Sequence, residues 1–309
     1  MRDKNQNTME ETSMQANGKR TAAAVAAVLL AIVFLVSGGW KVLQPYQTGE
    51  LLEQAQVPAG LGTAGAAGLG TIELLAAFLL LTPRYRRWGG LLGSALLVFF
   101  IAWIGFYYPK LVGHECSCFP IIKRTVGPGF FISDAIMLLL GIVAWIWSPV
   151  VRVRNFRGPG IALATLALLA GVNVGVQART RIHAQVPNPV VVDGKPADLT
   201  SGKVFLFFFD PYCSHCNAAA QFMSKLHWDH TRIVAIPTND ARFAPDFLQD
   251  TKLKAETSLE TDKLRKAFPF VTAPYGVALV DGQVKKTFPQ TQFNAPLPEP
   301  DLKQLTFVK

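Results

Sequence analysis

Two cysteines stand three residues apart in Phe209-Asp210-Pro211-Tyr212-Cys213-Ser214-His215-Cys216, directly after the aromatic run Val204–Phe209. Thiols at that spacing can close a structural disulfide, clip a metal ion, or trade electrons with another disulfide. A helix starting at Cys213 would put its sulfur beside unpaired backbone N–H groups and the positive end of the helix dipole, which favour a thiolate. Cys216, one turn on, then falls on the same face within disulfide reach. His215 between them adds positive charge. This chemistry makes Cys213 the nucleophile and Cys216 the resolving thiol. Zinc would need two further ligands; His227 and His230 follow but read more simply as surface residues at a helix end.

The remaining cysteines, Cys116 and Cys118, form a second close pair in His114-Glu115-Cys116-Ser117-Cys118-Phe119. A Cys-x-Cys disulfide closes a small, strained ring, and strain makes a disulfide easier to reduce. The pair therefore suits disulfide exchange. A loop staple and a soft-metal site of His114, Cys116 and Cys118 are the alternatives. Four cysteines in close pairs fit an oxidising compartment or redox work.

The elements that must position these pairs differ between the two halves of the chain. Of 309 residues, 50% are hydrophobic and 17% charged, against about 25% charged in soluble domains, and the deficit falls between Thr21 and Gln177. Five segments there approach the roughly 20 apolar residues that cross a bilayer: about 21–41, 64–82, 88–108, 129–147 and 158–177. The first follows Lys19-Arg20 but leads straight into Gly-Gly-Trp40-Lys41 without a small-residue cleavage site, so it reads as an uncleaved helix. The net charge of +9 is explained by basic residues flanking these spans rather than by a nucleic-acid surface. Lys19 and Arg20, then Arg84, Arg86 and Arg87, then Arg152, Arg154 and Arg157 mark three cytoplasmic regions by the positive-inside rule. Alternation then puts both cysteine pairs outside. Lys110, Lys123, Arg124, Arg179 and Arg181 run against this pattern without matching its regularity. Glu73 and Asp134 fall within spans, where a carboxylate is costly and marks a candidate functional site, or else locks helices together.

After a Pro-rich polar linker the pattern changes. Val204–Phe209 has the continuous apolar character of a strand buried on both faces, and a helical pattern follows Cys216. A second strand is expected at Arg232–Pro237, helices at about 241–253 and 258–267, then two strands joined at Asp281-Gly282, a strong hairpin signal. A short helix is expected near Pro300–Leu305.

Two resemblances stand on these residues. Four spans, the first ending Gly-Gly-Trp40-Lys41-Val-Leu-Gln-Pro45, a Glu in the second, and Cys116-Ser-Cys118-Phe before the fourth resemble the MauE/DoxX family over about 20–148. That resemblance implies a redox-associated bacterial membrane protein linked to thioredoxin-like partners. Quinone-linked thiol oxidases of the vitamin K epoxide reductase and DsbB families are its functional analogue, which admits a quinone. Their Cys-x-x-Cys within the bundle is replaced here by Cys-x-Cys. The strand–Cys-x-x-Cys–helix order over about 186–309 resembles the thioredoxin-like superfamily. It implies a cis proline facing the cysteines, at Pro274 in Phe270-Val-Thr-Ala273-Pro274-Tyr275. Tyr212 replaces the usual Trp, and Ser214-His215 the usual dipeptide.

The expected architecture is thus an α-helical transmembrane bundle of four helices, a fifth tethering helix, and an α/β thioredoxin-like domain. The boundaries are a cytoplasmic tail at 1–20, the membrane domain at 21–148, a loop and fifth helix at 149–178, a linker and first strand region at 179–203, and the domain core at 204–309. The expected function is a multi-pass protein of the bacterial cytoplasmic membrane, N-terminus cytoplasmic, whose Cys213/Cys216 centre exchanges disulfides with extracytoplasmic proteins. Cys116/Cys118 would relay its electrons. The other function class is a maturation or metal-handling factor for an extracytoplasmic enzyme, carrying copper or another soft metal. The lipid bilayer and protein thiols are the expected partners, and nucleic acid is not.

Overall fold

The computed structural model describes residues 2–58, 60–112, 125–151, 155–182, 184–293 and 299–309. The chain divides into two compact units, Met1–Val174 and Gly175–Lys309. In the first, α1 (Arg2–Leu43), α3 (Gly62–Leu81), α4 (Arg86–Phe106), α6 (Pro128–Trp147) and α7 (Arg157–Ile182) are the long helices; α2 (Pro45–Gln54) and α5 (Tyr108–Leu111) are short. Five helical stretches among the described residues are long and apolar enough to cross a membrane. Their outer faces carry exposed Val25, Leu29, Ile32, Leu35, Phe99, Ile132 and Leu139, a pattern unfavourable in water and ordinary against lipid. Helix α2 has no counterpart among the expected spans. It is too short and too polar to register as one, and Glu53 near its end accepts hydrogen bonds from the backbone N–H of Gly60 and Gly62 (2.8 and 3.4 Å).

Small residues let these helices approach closely. The buried face of α1 runs Ala23, Ala27, Leu30, Phe34, Ser37 and Lys41, and that of α3 runs Ala66, Gly70, Glu73, Ala77 and Leu80, both at helical spacing. The two faces cross where a Cβ on Gly38 would lie 2.8 Å from the Gly70 carbonyl oxygen, and a Cβ on Gly70 2.8 Å from that of Gly38. A Gly70→Val protein should therefore lose about 1–3 kcal/mol of stability, measured by unfolding in detergent; an unchanged midpoint would mean the helices are not in contact there. Helix α7 is mostly exposed, with Pro159 and Ala170 buried. Asn173 Nδ2 donates to the Val42 and Leu43 carbonyls at the end of α1 (2.7 and 3.2 Å).

After the last turns of α7, the second unit forms a hairpin, β1 (Val190–Val192) and β2 (Lys195–Ala197). It continues through β3 (Lys203–Phe209), α8 (Ser214–Met223), β4 (Thr231–Pro237), α9 (Ala244–Thr251), β5 (Glu256–Thr257), α10 (Thr261–Ala267), β6 (Tyr275–Val280), β7 (Gln283–Phe288) and α11 (Glu299–Gln304). The sheet order is β5-β4-β3-β6-β7. Strand β3 is parallel to β4 and antiparallel to β6. It is buried on both faces because its residues alternate between two cores. Phe205, Phe207 and Phe209 pack with Cys216, Ala219 and Met223 of α8. Val204, Leu206 and Phe208 pack with Val192, Leu199, Ile236 and Tyr275. The β6–β7 turn holds Asp281 at φ 50° and Gly282 at φ 73°, the left-handed pair that a two-residue hairpin requires.

The stretch expected as a helix over about 241–253 divides. A 3-10 turn at Ala241–Phe243 leads into α9, which stops at Thr251 with Lys252 left-handed at φ 56°. The chain then lays down β5 beside β4, with Val234 opposite Glu256, before α10 begins.

Candidate active site

Strand β3 ends at Phe209 and α8 starts at Ser214, so Cys213 is the helix N-cap, in extended backbone at φ −85°, ψ 118°. Its sulfur accepts the Cys216 backbone N–H at 3.3 Å, doing what a Ser or Asp does at this position. Cys213 is partly exposed and Cys216 fully buried, both as free thiols. The loop between strand and helix is pinned by Asp210, whose carbonyl accepts the Cys213 N–H (3.0 Å) and whose carboxylate accepts the Tyr212 N–H (2.9 Å). The Asp210 backbone N–H points to Cys216 Sγ at 3.4 Å. Across the site, the Ala273–Pro274 peptide bond is cis, and Cys213 Sγ lies 3.9 Å from the Ala273 carbonyl oxygen.

These contacts separate the two thiols in acidity. The Cys213 pKa is lowered to about 6, first by the hydrogen bond from the Cys216 thiol, then by the backbone N–H groups of Cys216 and His215 and the His215 charge, against a contrary push from burial. The Cys216 pKa is raised far above the ordinary range because its proton is engaged by the Cys213 sulfur and burial disfavours a second anion. Since the thiolate is the reactive form, the alkylation rate of Cys213 should rise with pH through about 6 and level off near neutrality. An ordinary thiol would rise through about 8.5. A stopped-flow profile with a single inflection near 8.5 would contradict the assignment.

Beside Cys213, Tyr212 is 64% exposed. Its hydroxyl is 3.1 Å from Asp240 Oδ2, and its ring meets Phe243 edge-on with centroids 5.6 Å apart. Arg242 Nε holds the same carboxylate at 2.9 Å. Sequence reasoning named Tyr212 only as a departure from Trp, and it missed the three residues around it, which sit some thirty positions downstream in the turn after β4.

In the membrane unit, Glu73 and Asp134 are 2% and 4% exposed. Glu73 accepts from Lys41 Nζ through both carboxylate oxygens, at 2.9 and 3.0 Å, and Lys41 also donates to Ser37 Oγ. The partner of Glu73 is thus a cation on α1, itself 1% exposed. His114, Cys116 and Cys118 lie outside the described residues. Among the described residues no three His, Cys, Asp or Glu side chains converge as a metal site would need.

Residues 19–148 match the family model described as Methylamine utilisation protein MauE. The MauE segment covers α2 through α6 and the apolar part of α1, and leaves α7 and the sheet unit outside it. No curated protein matches the chain. Two solved structures resemble its sheet unit. One is a secreted Mycobacterium tuberculosis disulfide oxidoreductase described as homologous to E. coli DsbE, at 18% identity and a TM-score of 0.28, covering 35% of this chain and 84% of that one. The other is the thioredoxin domain of a Bacteroides vulgatus thiol-disulfide oxidoreductase, at 12% and 0.29, covering 40% and 98%. Both scores are low, and the thioredoxin-like fold rests on the strand order and the Cys-x-x-Cys helix cap themselves.

Proposed function

We propose that this multi-pass membrane protein is a thiol–disulfide oxidoreductase acting on extracytoplasmic proteins through Cys213 and Cys216. One observation carries the reading: a partly exposed Cys213 caps α8 with its pKa lowered to about 6, opposite a cis Pro274. In the exchange, the Cys213 thiolate attacks one sulfur of a client disulfide, forming a mixed disulfide and expelling the client's other sulfur as a thiolate. Cys216 then loses its proton and attacks Cys213 Sγ. The Cys213–Cys216 bond forms, the mixed disulfide breaks, and the client leaves with both sulfurs reduced; run backwards, the same steps oxidise a client dithiol. His215 favours the Cys213 thiolate throughout by its charge.

In this reading Cys116 and Cys118 relay electrons to or from that centre. Support comes from the basic residues at 19–20, 84–87 and 152–157, which by the positive-inside rule assign both pairs to the extracytoplasmic face and the N-terminus to the cytoplasm. Labelling with a membrane-impermeant thiol reagent tests the relay, and reaction of one pair only from the cytoplasmic side would end it. The exchange itself is tested by Cys216→Ser, which should accumulate a client covalently bound at Cys213 after acid quench and alkylation. No such adduct, alongside full exchange activity, would refute it.

A second reading has the thiols serve the maturation of an extracytoplasmic enzyme by delivering a soft metal. Stoichiometric, thiol-dependent copper in purified protein would support it; none in either redox state would remove it.

A further inference from the structure

Where the start of α4 meets the end of α6, the membrane unit has a cavity of about 360 Å³. Arg84 and Arg87 line it together with Trp88, Leu91, Trp145 and Phe156. Packing fixes its walls. A Cβ on Gly90 would lie 2.7 Å from the Trp145 backbone nitrogen, so α4 and α6 touch there. The Tyr85 hydroxyl donates to the Asn155 carbonyl at 3.1 Å, and the Phe156 ring meets Trp88 edge-on with centroids 5.8 Å apart. These contacts hold the α6–α7 connection against the start of α4. Arg86 Nε is occupied by the Leu80 carbonyl at 3.3 Å. Residues 82–91 and 145–157 include no Asp or Glu, so Arg84 and Arg87 receive no counter-charge from the cavity's own walls.

The cavity lies where one membrane-length segment, Arg86–Phe106, begins and another, Pro128–Ile146, ends. That is the level of lipid headgroups, where Trp and Tyr gather. We propose that the cavity holds the phosphate of an anionic phospholipid. Guanidinium groups match phosphate oxygens in geometry as well as charge. The remaining lining is mostly apolar and suits a phosphate that carries a tail better than a free, fully hydrated one. From the cavity, exposed Trp88, Leu91, Ala95 and Val98 continue along one face of α4, a helical stripe on which an acyl chain can lie. A zwitterionic headgroup would bring its own cation against the two arginines and is disfavoured. The site is independent of the thiol chemistry in the sheet unit.

To test this, delipidated full-length protein in detergent is titrated with phosphatidylglycerol or phosphatidylcholine, and the first bound lipid is followed by native mass spectrometry. Wild type should bind phosphatidylglycerol about tenfold more tightly or better. The double variant Arg84→Gln/Arg87→Gln should lose that preference. So should Val150→Glu, which keeps both arginines and places a carboxylate at a lining position that is 78% exposed, where folding is not at risk. Lys19→Gln/Arg20→Gln, which removes two exposed charges outside the cavity, should keep it. Equal affinity for the two lipids in wild type overturns the site, as does a preference that survives both cavity variants. An equal loss in Lys19→Gln/Arg20→Gln would assign the effect to general charge and overturns it too. Inorganic phosphate is the last arm: displacement of the lipid by phosphate at comparable affinity would overturn a lipid occupant, and failure to displace it supports one.

Discussion

A Glu73→Met protein should be less stable than wild type by about 3–5 kcal/mol, because the change strands Lys41 as a buried cation without its counter-charge. Lys41 is 1% exposed, so its ammonium cannot reach water by a small rearrangement, and Ser37 Oγ offers a dipole rather than a charge. Lys41→Met should be comparably destabilising through the orphaned carboxylate. The double variant should recover most of the loss, since two unbranched apolar side chains fill the same stems at the α1–α3 crossing and no buried charge remains. Heat or SDS unfolding of detergent-solubilised protein measures all three, and the double-mutant cycle isolates the pair. Additive losses would mean that the two residues are not coupled and that the crossing is held by the Gly38–Gly70 approach alone.

That pair also marks the limit of what could be read from the residues. Glu73 stands out in an apolar run, but Lys41 sits beside the end of a span, where a lysine is normally taken to reach for the interface. The periodicity held the information: Ala27, Leu30, Phe34, Ser37 and Lys41 continue one helical face inward. A burial pattern extended past the apolar segment would have turned Lys41 toward α3. The five spans were legible because length and hydropathy are local properties. Helix α2 was not, since its short amphipathic pattern gains meaning only from contact with α3.

In the sheet unit the strand β3, the helix α8 and the hairpin turn at Asp281-Gly282 were legible for a similar reason. Each is encoded in a few adjacent residues, the hairpin by a dipeptide that tolerates the left-handed region. Strand β5 is two residues long and forms only by lying against β4, so no local pattern announces it. The same holds for Asp240, Arg242 and Phe243, brought to Tyr212 by the return of the chain from β4. The spacing of Cys213 and Cys216 suggested the two roles, but the first cause of the lowered Cys213 pKa is not the one that spacing suggests. Helix end and His215 were the anticipated causes; the hydrogen bond from the Cys216 thiol comes first.

That order of causes gives the second large effect. Cys213→Ser should lower the rate of exchange with a peptide disulfide by on the order of 10³-fold or more, since the other thiol of the sheet unit, Cys216, is fully buried and cannot start the attack. Cys216→Ala should act twice. It removes the thiol that resolves the mixed disulfide, and it removes the strongest influence lowering the Cys213 pKa, so alkylation of Cys213 at a pH just above 6 should slow severalfold. Cys216→Ser should block resolution equally while keeping a hydroxyl donor near the Cys213 sulfur, so its alkylation rate should stay close to wild type. His215→Ala should slow alkylation less than Cys216→Ala, because the His215 charge lowers the Cys213 pKa less than the hydrogen bond from the Cys216 thiol does. If Cys216→Ala and Cys216→Ser alkylate alike, the Cys216 thiol is not the donor that sets the acidity of Cys213. The thiolate would then owe its stability to the end of α8 and His215, and the resolving cysteine would act only after the client has been attacked.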